Sequence, residues 1–120
     1  MNPNTRACVA YVAGVLIGGK NSASVYDYLQ SKHISISGTV TENNVNIYDH
    51  DRGCNFGGSG NVGQFSLYDY GGNHHVQLKI SGKHFDGYDY GASCNFSGNV
   101  NGNSISLYDY GESKNFNYSI

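Results

Sequence analysis

Apolar and polar residues alternate along most of this chain, in short runs separated by Gly, Asn and Ser. Side chains two residues apart lie on the same face of a β-strand, so each run predicts a strand with one buried face. In the last complete copy the predicted inward residues are Phe96, Gly98, Val100, Ile105 and Leu107. The predicted outward residues are Asn95, Ser97, Ser104, Ser106, Tyr108 and Tyr110. No apolar set recurs at helical spacing.

A Tyr-Asp-Tyr motif closes every second run, and its second copy reads Tyr-Asp-His. The copies begin at Tyr26, Tyr48, Tyr68, Tyr88 and Tyr108, with spacings of 22, 20, 20 and 20 residues. A fixed period of this length is typical of a small unit stacked on copies of itself. Each unit predicts two strands and two turns. The positions of the repeat along the chain predict eleven strands and essentially no helix. The strands are expected to end near residues 17, 28, 41, 50, 61, 70, 81, 90, 101, 110 and 120.

The third copy exchanges a small and a large residue. Gly38, Gly58 and Gly98 share one inward position at which this copy has Leu78, and it has Gly87 where other copies carry Leu or Ile. A side chain gained beside one that is lost indicates volume compensation in a packed core.

Two architectures fit the unit. The first is a β-solenoid of about five coils with two strands each, and the near-constant coil length and the Tyr and Asn columns favour it. The alternative is an antiparallel meander or barrel of about eleven strands, favoured by Asn101-Gly102 and Ser81-Gly82 as hairpin turns. Against the meander, Val62 occupies a turn position that requires positive φ, and an odd number of strands closes awkwardly. The sequence favours the solenoid.

The two-strand coil resembles the organisation of curlin-type amyloid subunits, although their Gln-and-Asn motif is absent here. In the solenoid, whose stacked carboxylates would repel one another, the motif Asp side chains could be held by accepting the N–H groups of their own turns, as Asx-turns. These residues are Asp27, Asp49, Asp69, Asp89 and Asp109.

Length and composition predict a single repeat domain over residues 1–120. The net charge of −2, with basic residues scattered singly, predicts no nucleic-acid partner. The apolar segment from Ala7 to Ile17 is too short to span a bilayer and predicts neither a membrane partner nor a cleaved signal. It matches the repeat, which predicts a first strand from Val9 to Ile17. Three cysteines leave at least one thiol unpaired, which favours the cytoplasm over secretion.

The tyrosines are the candidate binding residues, because alternation places the motif tyrosines on the outward face. Exposed aromatic columns can stack on sugar rings or on a second copy of the protein, and Tyr is also a good strand former. The predicted binding residues are Tyr26, Tyr28, Tyr48, Tyr68, Tyr70, Tyr88, Tyr90, Tyr108 and Tyr110.

Other chemistry has weaker support. Cys54, His74 and Cys94 share one column flanked by Lys114, but a solenoid would space the two thiols too widely for one zinc ion. No nucleophile, base and orienting group form a recognisable catalytic set. We therefore expect no catalytic residue, no metal and no cofactor.

The sequence predicts a non-enzymatic structural repeat protein that associates with itself into an oligomer or filament. The contacts would be uncapped terminal strands, such as 115–120, or the tyrosine face. The alternative function is a module that binds a carbohydrate or another ligand through the exposed Tyr columns.

Overall fold

The computed structural model describes every residue from Met1 to Ile120 and contains one helix followed by ten strands. Their bounds are α1 (Pro3–Gly18), β1 (Ser24–Asp27), β2 (Lys32–Val40), β3 (Asn44–Asp49), β4 (Cys54–Asn61), β5 (Gln64–Asp69), β6 (His74–Ser81), β7 (His84–Asp89), β8 (Cys94–Asn101), β9 (Ser104–Asp109) and β10 (Lys114–Ser119).

The ten strands form a closed antiparallel meander barrel in which each strand pairs with the next along the chain. The last strand, β10, pairs with β1 through Tyr26 opposite Ser119 and Asp27 opposite Tyr118. The meander alternative is therefore confirmed. The solenoid, with its resemblance to curlin-type subunits, is wrong, and so are the uncapped terminal strands on which end-to-end association was based.

The prediction of a first strand from Val9 to Ile17 is also wrong, because this segment lies in helix α1. The side chain of Asn2 caps the helix by accepting the N–H of Asn4, and Pro3 occupies the first turn. Gly19 ends the helix in the left-handed conformation, with its N–H donated to the carbonyl of Val15. Removing one strand from the expected eleven leaves an even number, which lets an antiparallel meander close.

Helix α1 lies inside the barrel and supplies the centre of its core. The residues from Thr5 to Val15 are all buried, and the apolar ones belong to the same cluster as the inward side chains of the strands. Because the barrel surrounds the helix, no side of it needs to be polar, and its apolar run shows no helical period. No helix in the structure is both long enough and apolar enough to cross a membrane.

The remaining strand predictions are confirmed. All ten strands end within one residue of the predicted positions from 28 to 120. The faces are confirmed as well, since Phe96, Val100, Ile105 and Leu107 are at most 2% exposed, whereas Asn95 and Tyr110 are exposed.

Two turns show how the barrel overcomes the objection raised by Val62. Val62 adopts a left-handed φ of 49° before Gly63 at 75°, a strained arrangement for a β-branched residue, and its side chain is 91% exposed. The turn after β2 avoids positive φ altogether. There the hydroxyl of Thr41 accepts the N–H groups of Asn43 and Asn44.

The predicted volume compensation is confirmed by the strand register. Leu78 lies directly opposite Gly87, as Gly58 lies opposite Leu67 and Gly98 opposite Leu107. Each of these pairs thus contains one glycine and one leucine, and the third hairpin only exchanges their strands.

We expect Gly98→Ala to lower the free energy of unfolding by about 3 kcal/mol. A Cβ atom at this position would lie 2.0 Å from the backbone oxygen of Ser106 and 2.4 Å from the ring of Phe85. Gly102→Ala in the same hairpin is the control. Its φ is 62° and no atom lies within 4 Å of the added Cβ, so only the strain of about 1 kcal/mol is expected. Urea unfolding of both variants measures the difference, and equal losses would contradict the close approach.

Candidate outer-face binding groove

The structure places all nine predicted binding tyrosines outside the barrel, near the end where the motif Asp residues lie. Tyr28, Tyr70, Tyr90 and Tyr110 are 52–57% exposed, and Tyr48 is 37% exposed. The remaining members, Tyr26, Tyr68, Tyr88 and Tyr108, are half-buried. We call this set the tyrosine belt.

Within the tyrosine belt, the two tyrosines of a motif contact each other edge to face. The ring centroids lie 4.7–4.9 Å apart, as for Tyr68 with Tyr70 and Tyr108 with Tyr110. In the second copy His50 replaces the second tyrosine against Tyr48. These contacts hold the rings in fixed orientations, which lowers the entropy lost when a ligand stacks on them.

Two members of the tyrosine belt line a groove on the outside of the barrel. This groove of about 1040 Å³ crosses the outside of the barrel from β4 to β8, and Tyr88 and Tyr110 are the belt residues that line it. The other seven predicted binding tyrosines lie outside this groove. Its volume is that of a typical small-molecule site.

Two rows of polar side chains form the walls of the groove and cross the strands. The strand register aligns Ser66, Gln77, Tyr88 and Asn95, with Tyr110 following, and one step away it aligns Gln64, Lys79, Asp86 and Ser97. The hydroxyl groups of Ser97 and Tyr110 lie 3.3 Å apart, which positions the ring of Tyr110 at one end.

The groove carries little net charge. Lys79 lies opposite Asp86 across β6 and β7, and His84 lies 3.8 Å from the same carboxylate. Amides, hydroxyls and aromatic rings provide most of the remaining contacts. Such a lining can bind a ligand that offers both hydrogen-bonding groups and apolar ring faces.

Comparison of the chain with protein-family models, with curated proteins and with solved structures found no match.

A second cluster of chemically active side chains lies inside the barrel, at the end where helix α1 begins. The five motif Asp residues point inward there and are at most 2% exposed. The Oδ1 atom of each accepts the backbone N–H groups two and three residues later, as Asp69 does from Gly71 and Gly72. The predicted Asx-turns are confirmed, and they leave Oδ2 available for other partners.

The beginning of α1 supplies several of those partners. The ammonium group of Met1 and the guanidinium of Arg6 lie 3.0 and 3.1 Å from Asp109, and Thr5 donates a hydrogen bond to Asp69. The positive end of the helix dipole also faces these carboxylates. Buried negative charge is therefore paired at the point where the helix enters the barrel.

Arg52, from the turn between β3 and β4, and His74, at the start of β6, complete the cluster. Arg52 lies 2.7 Å from Asp49 and 3.0 Å from Asp69, and the imidazole of His74 lies 3.1 Å from Asp89. Arg52 thus pairs with two of these three carboxylates, and His74 contacts the third. The carboxylates are closed from solvent, whereas the side chains of Arg52 and His74 are 16% exposed. Pairing of the buried charges stabilises the fold.

These contacts shift the pKa values of two carboxyl groups. Burial alone would raise the pKa of Asp69, but the hydrogen bonds from Thr5 and Arg52 outweigh it and hold the pKa below its usual value. Burial of Asp109 is likewise outweighed, by the hydrogen bond and charge of the N-terminal ammonium. In contrast, burial raises the pKa of Tyr118 to about 12.

We expect the protein to lose stability in acid. A folded-state pKa below the unfolded value stabilises the protein at higher pH, and the stabilisation disappears as pH falls from about 4 through the folded-state pKa values. Urea unfolding between pH 7 and pH 2 measures this loss. The variant with Asp69→Asn and Asp109→Asn should show a shallower dependence, and an unfolding free energy that does not change below pH 5 would contradict the expectation.

The column of Cys54, His74 and Cys94 lies on β4, β6 and β8, so its members are two strands apart. No group of three or more His, Cys, Asp or Glu side chains is arranged to hold a metal ion. All three cysteines are free, and burial raises the pKa of the Cys8 thiol far above its ordinary value.

Sequence reasoning identified the tyrosines of the groove but missed its polar residues. Gln77 and Asn95 occupy predicted outward positions on either side of Tyr88. The alternation of apolar and polar residues therefore already placed these side chains on the outer face. Predicting that they form one groove also required the meander register, which brings consecutive strands side by side.

Proposed function

We propose that the protein is a non-enzymatic binding module whose ligand is a carbohydrate bound in the outer-face groove. The observation that carries this proposal is the combination of Tyr88 and Tyr110 with rows of amide and hydroxyl side chains along one concave surface. Aromatic rings stack on the apolar faces of sugars, and amides and hydroxyls bond to sugar hydroxyl groups.

The composition of the groove supports binding. Tyr, Ser, Asn and Gly are the residues that adaptable binding surfaces use, because Tyr gives contact area at low entropy cost and Ser and Asn give flexible hydrogen bonding. No net charge in the groove requires an ionic ligand.

Self-association remains a second proposal, restricted to the tyrosine belt. The apolar part of the surface at this end of the barrel consists of Leu29, which is 55% exposed, and the four most exposed belt tyrosines, Tyr28, Tyr70, Tyr90 and Tyr110. Light scattering of the purified protein distinguishes the two functions, since an oligomer that dissociates on Tyr28→Ala would favour the belt.

We expect Tyr110→Ala to weaken glycan binding at least tenfold, which corresponds to about 1.4 kcal/mol. Tyr28→Ala is a matched control, because Tyr28 is 57% exposed and Tyr110 is 55% exposed, but only Tyr110 lines the groove. Tyrosine fluorescence against a glycan panel, followed by calorimetry, gives the affinities. Absence of binding by every glycan, or equal losses in both variants, would contradict the proposal.

A further inference from the structure

The geometry of the groove indicates the shape of its ligand. Neighbouring strands lie about 4.8 Å apart, so the groove, which is lined by residues of every strand from β4 to β8, spans four spacings, or about 19 Å. This span exceeds the size of one sugar ring and is close to that of a short oligomer. The distance between neighbouring strands is also close to the length that one ring adds to an extended pyranose chain.

The side chains along the groove repeat with the same step. One row consists of Ser66, Gln77, Tyr88 and Asn95, with one residue on each strand. It offers a polar or aromatic contact at each position of such a chain. Contacts that recur at the strand spacing match a polymer of identical units.

The two aromatic rings add a second constraint. Tyr88 lies at the end of β7 and Tyr110 directly follows β9, so they are separated by two strand spacings, about 9.6 Å. In some extended sugar chains each ring is rotated by about 180° around the chain axis relative to the ring before it. In such a chain every second ring presents the same face to the protein. The separation of Tyr88 and Tyr110 fits stacking on rings n and n+2 of such a chain.

The charges of the groove limit the ligand further. Lys79 and Asp86 face each other across the strands, so a uniformly acidic or basic polymer would meet one like charge for each opposite charge. An uncharged chain meets neither.

We propose that the groove binds an internal stretch of an extended, uncharged, β-1,4-linked polysaccharide laid across the strands, with Tyr88 and Tyr110 stacking on alternate rings. This inference rests on the proposed carbohydrate-binding function and assigns its ligand class.

The test is calorimetry with β-1,4-linked oligomers of glucose, mannose and N-acetylglucosamine from one to six units. For the preferred series, we expect affinity to rise at least tenfold between the disaccharide and the tetrasaccharide and then to level off once the groove is filled. Reduction of the chain end should leave affinity unchanged, because an internal stretch is bound.

Variants locate the subsites. Tyr110→Ala should lower the affinity for the tetrasaccharide to that for the disaccharide, since one stacked ring is lost. Asn46→Ala, an exposed outer-face residue outside the groove, should change neither affinity.

Three outcomes would overturn the inference. Equal affinity for the monosaccharide and the hexasaccharide, dependence on a free chain end, or equal binding of a curved α-1,4-linked series would each exclude an internal extended chain while leaving carbohydrate binding intact. Failure of every glycan to bind would instead remove the proposed function itself.

Discussion

Ala10→Asp is expected to remove a large part of the protein's stability at 25 °C. Ala10 lies in the middle of α1 with 0% exposure and belongs to the apolar core inside the barrel. A carboxylate there would be buried without a partner, at a cost of more than about 4 kcal/mol. Because native domains are stable by only about 5–15 kcal/mol, a loss of this size would remove a large part of the stability. Circular dichroism and urea unfolding measure the effect.

Ala23→Asp provides the control, since it makes the same chemical change at an exposed position between α1 and β1. A surface substitution of this kind should change the unfolding free energy by at most about 0.5 kcal/mol. If Ala10→Asp and Ala23→Asp were equally stable, the helix could not occupy the lumen.

The second large effect is expected for Asp109→Asn. Asparagine keeps the Oδ1 atom that accepts the N–H groups of Gly111 and Glu112, but it removes the negative charge. The guanidinium of Arg6, which is 4% exposed and lies 3.7 Å from the ring centre of Phe116, would lose its carboxylate partner. An uncompensated buried charge costs about 3–5 kcal/mol.

The repeat supplies the matched control for this experiment. Asp89 is equally buried and makes the same Asx-turn, but its nearest ionisable side chain is His74 rather than a guanidinium. Asp89→Asn should therefore lower the unfolding free energy by about 1 kcal/mol or less. Arg6→Met should cost less than Asp109→Asn, because Asp109 keeps the Met1 ammonium as a partner. Similar losses for both Asp variants would show that the charge is unimportant.

A common structural origin connects these two predictions. Helix α1 fills the barrel with apolar side chains along its length, and its polar residues Thr5 and Arg6 lie only at the end where the Asp side chains are. The helix is thus fixed in depth by charge pairing and held laterally by packing.

Local patterns in the chain were sufficient to predict the ten strands, their faces and the Asx-turns. These features depend on contacts between residues close in the chain, and local alternation and turn chemistry reveal them, as at Asp69 with Gly71. The exchange of Leu78 and Gly87 was also visible, because equivalent positions of a repeat can be compared directly.

Other features of the fold depend on contacts that no local pattern reveals. The segment from Val9 to Ile17 is apolar on every side, so its pattern does not distinguish a buried helix from a buried strand. Its caps at Asn2 and Gly19 were the available signals. Barrel closure and the pairing of Arg6 with Asp109 bring together residues far apart in the chain, and no local pattern encodes such contacts. The groove at Tyr88 depends on the register between consecutive strands, which alternation within one strand does not give.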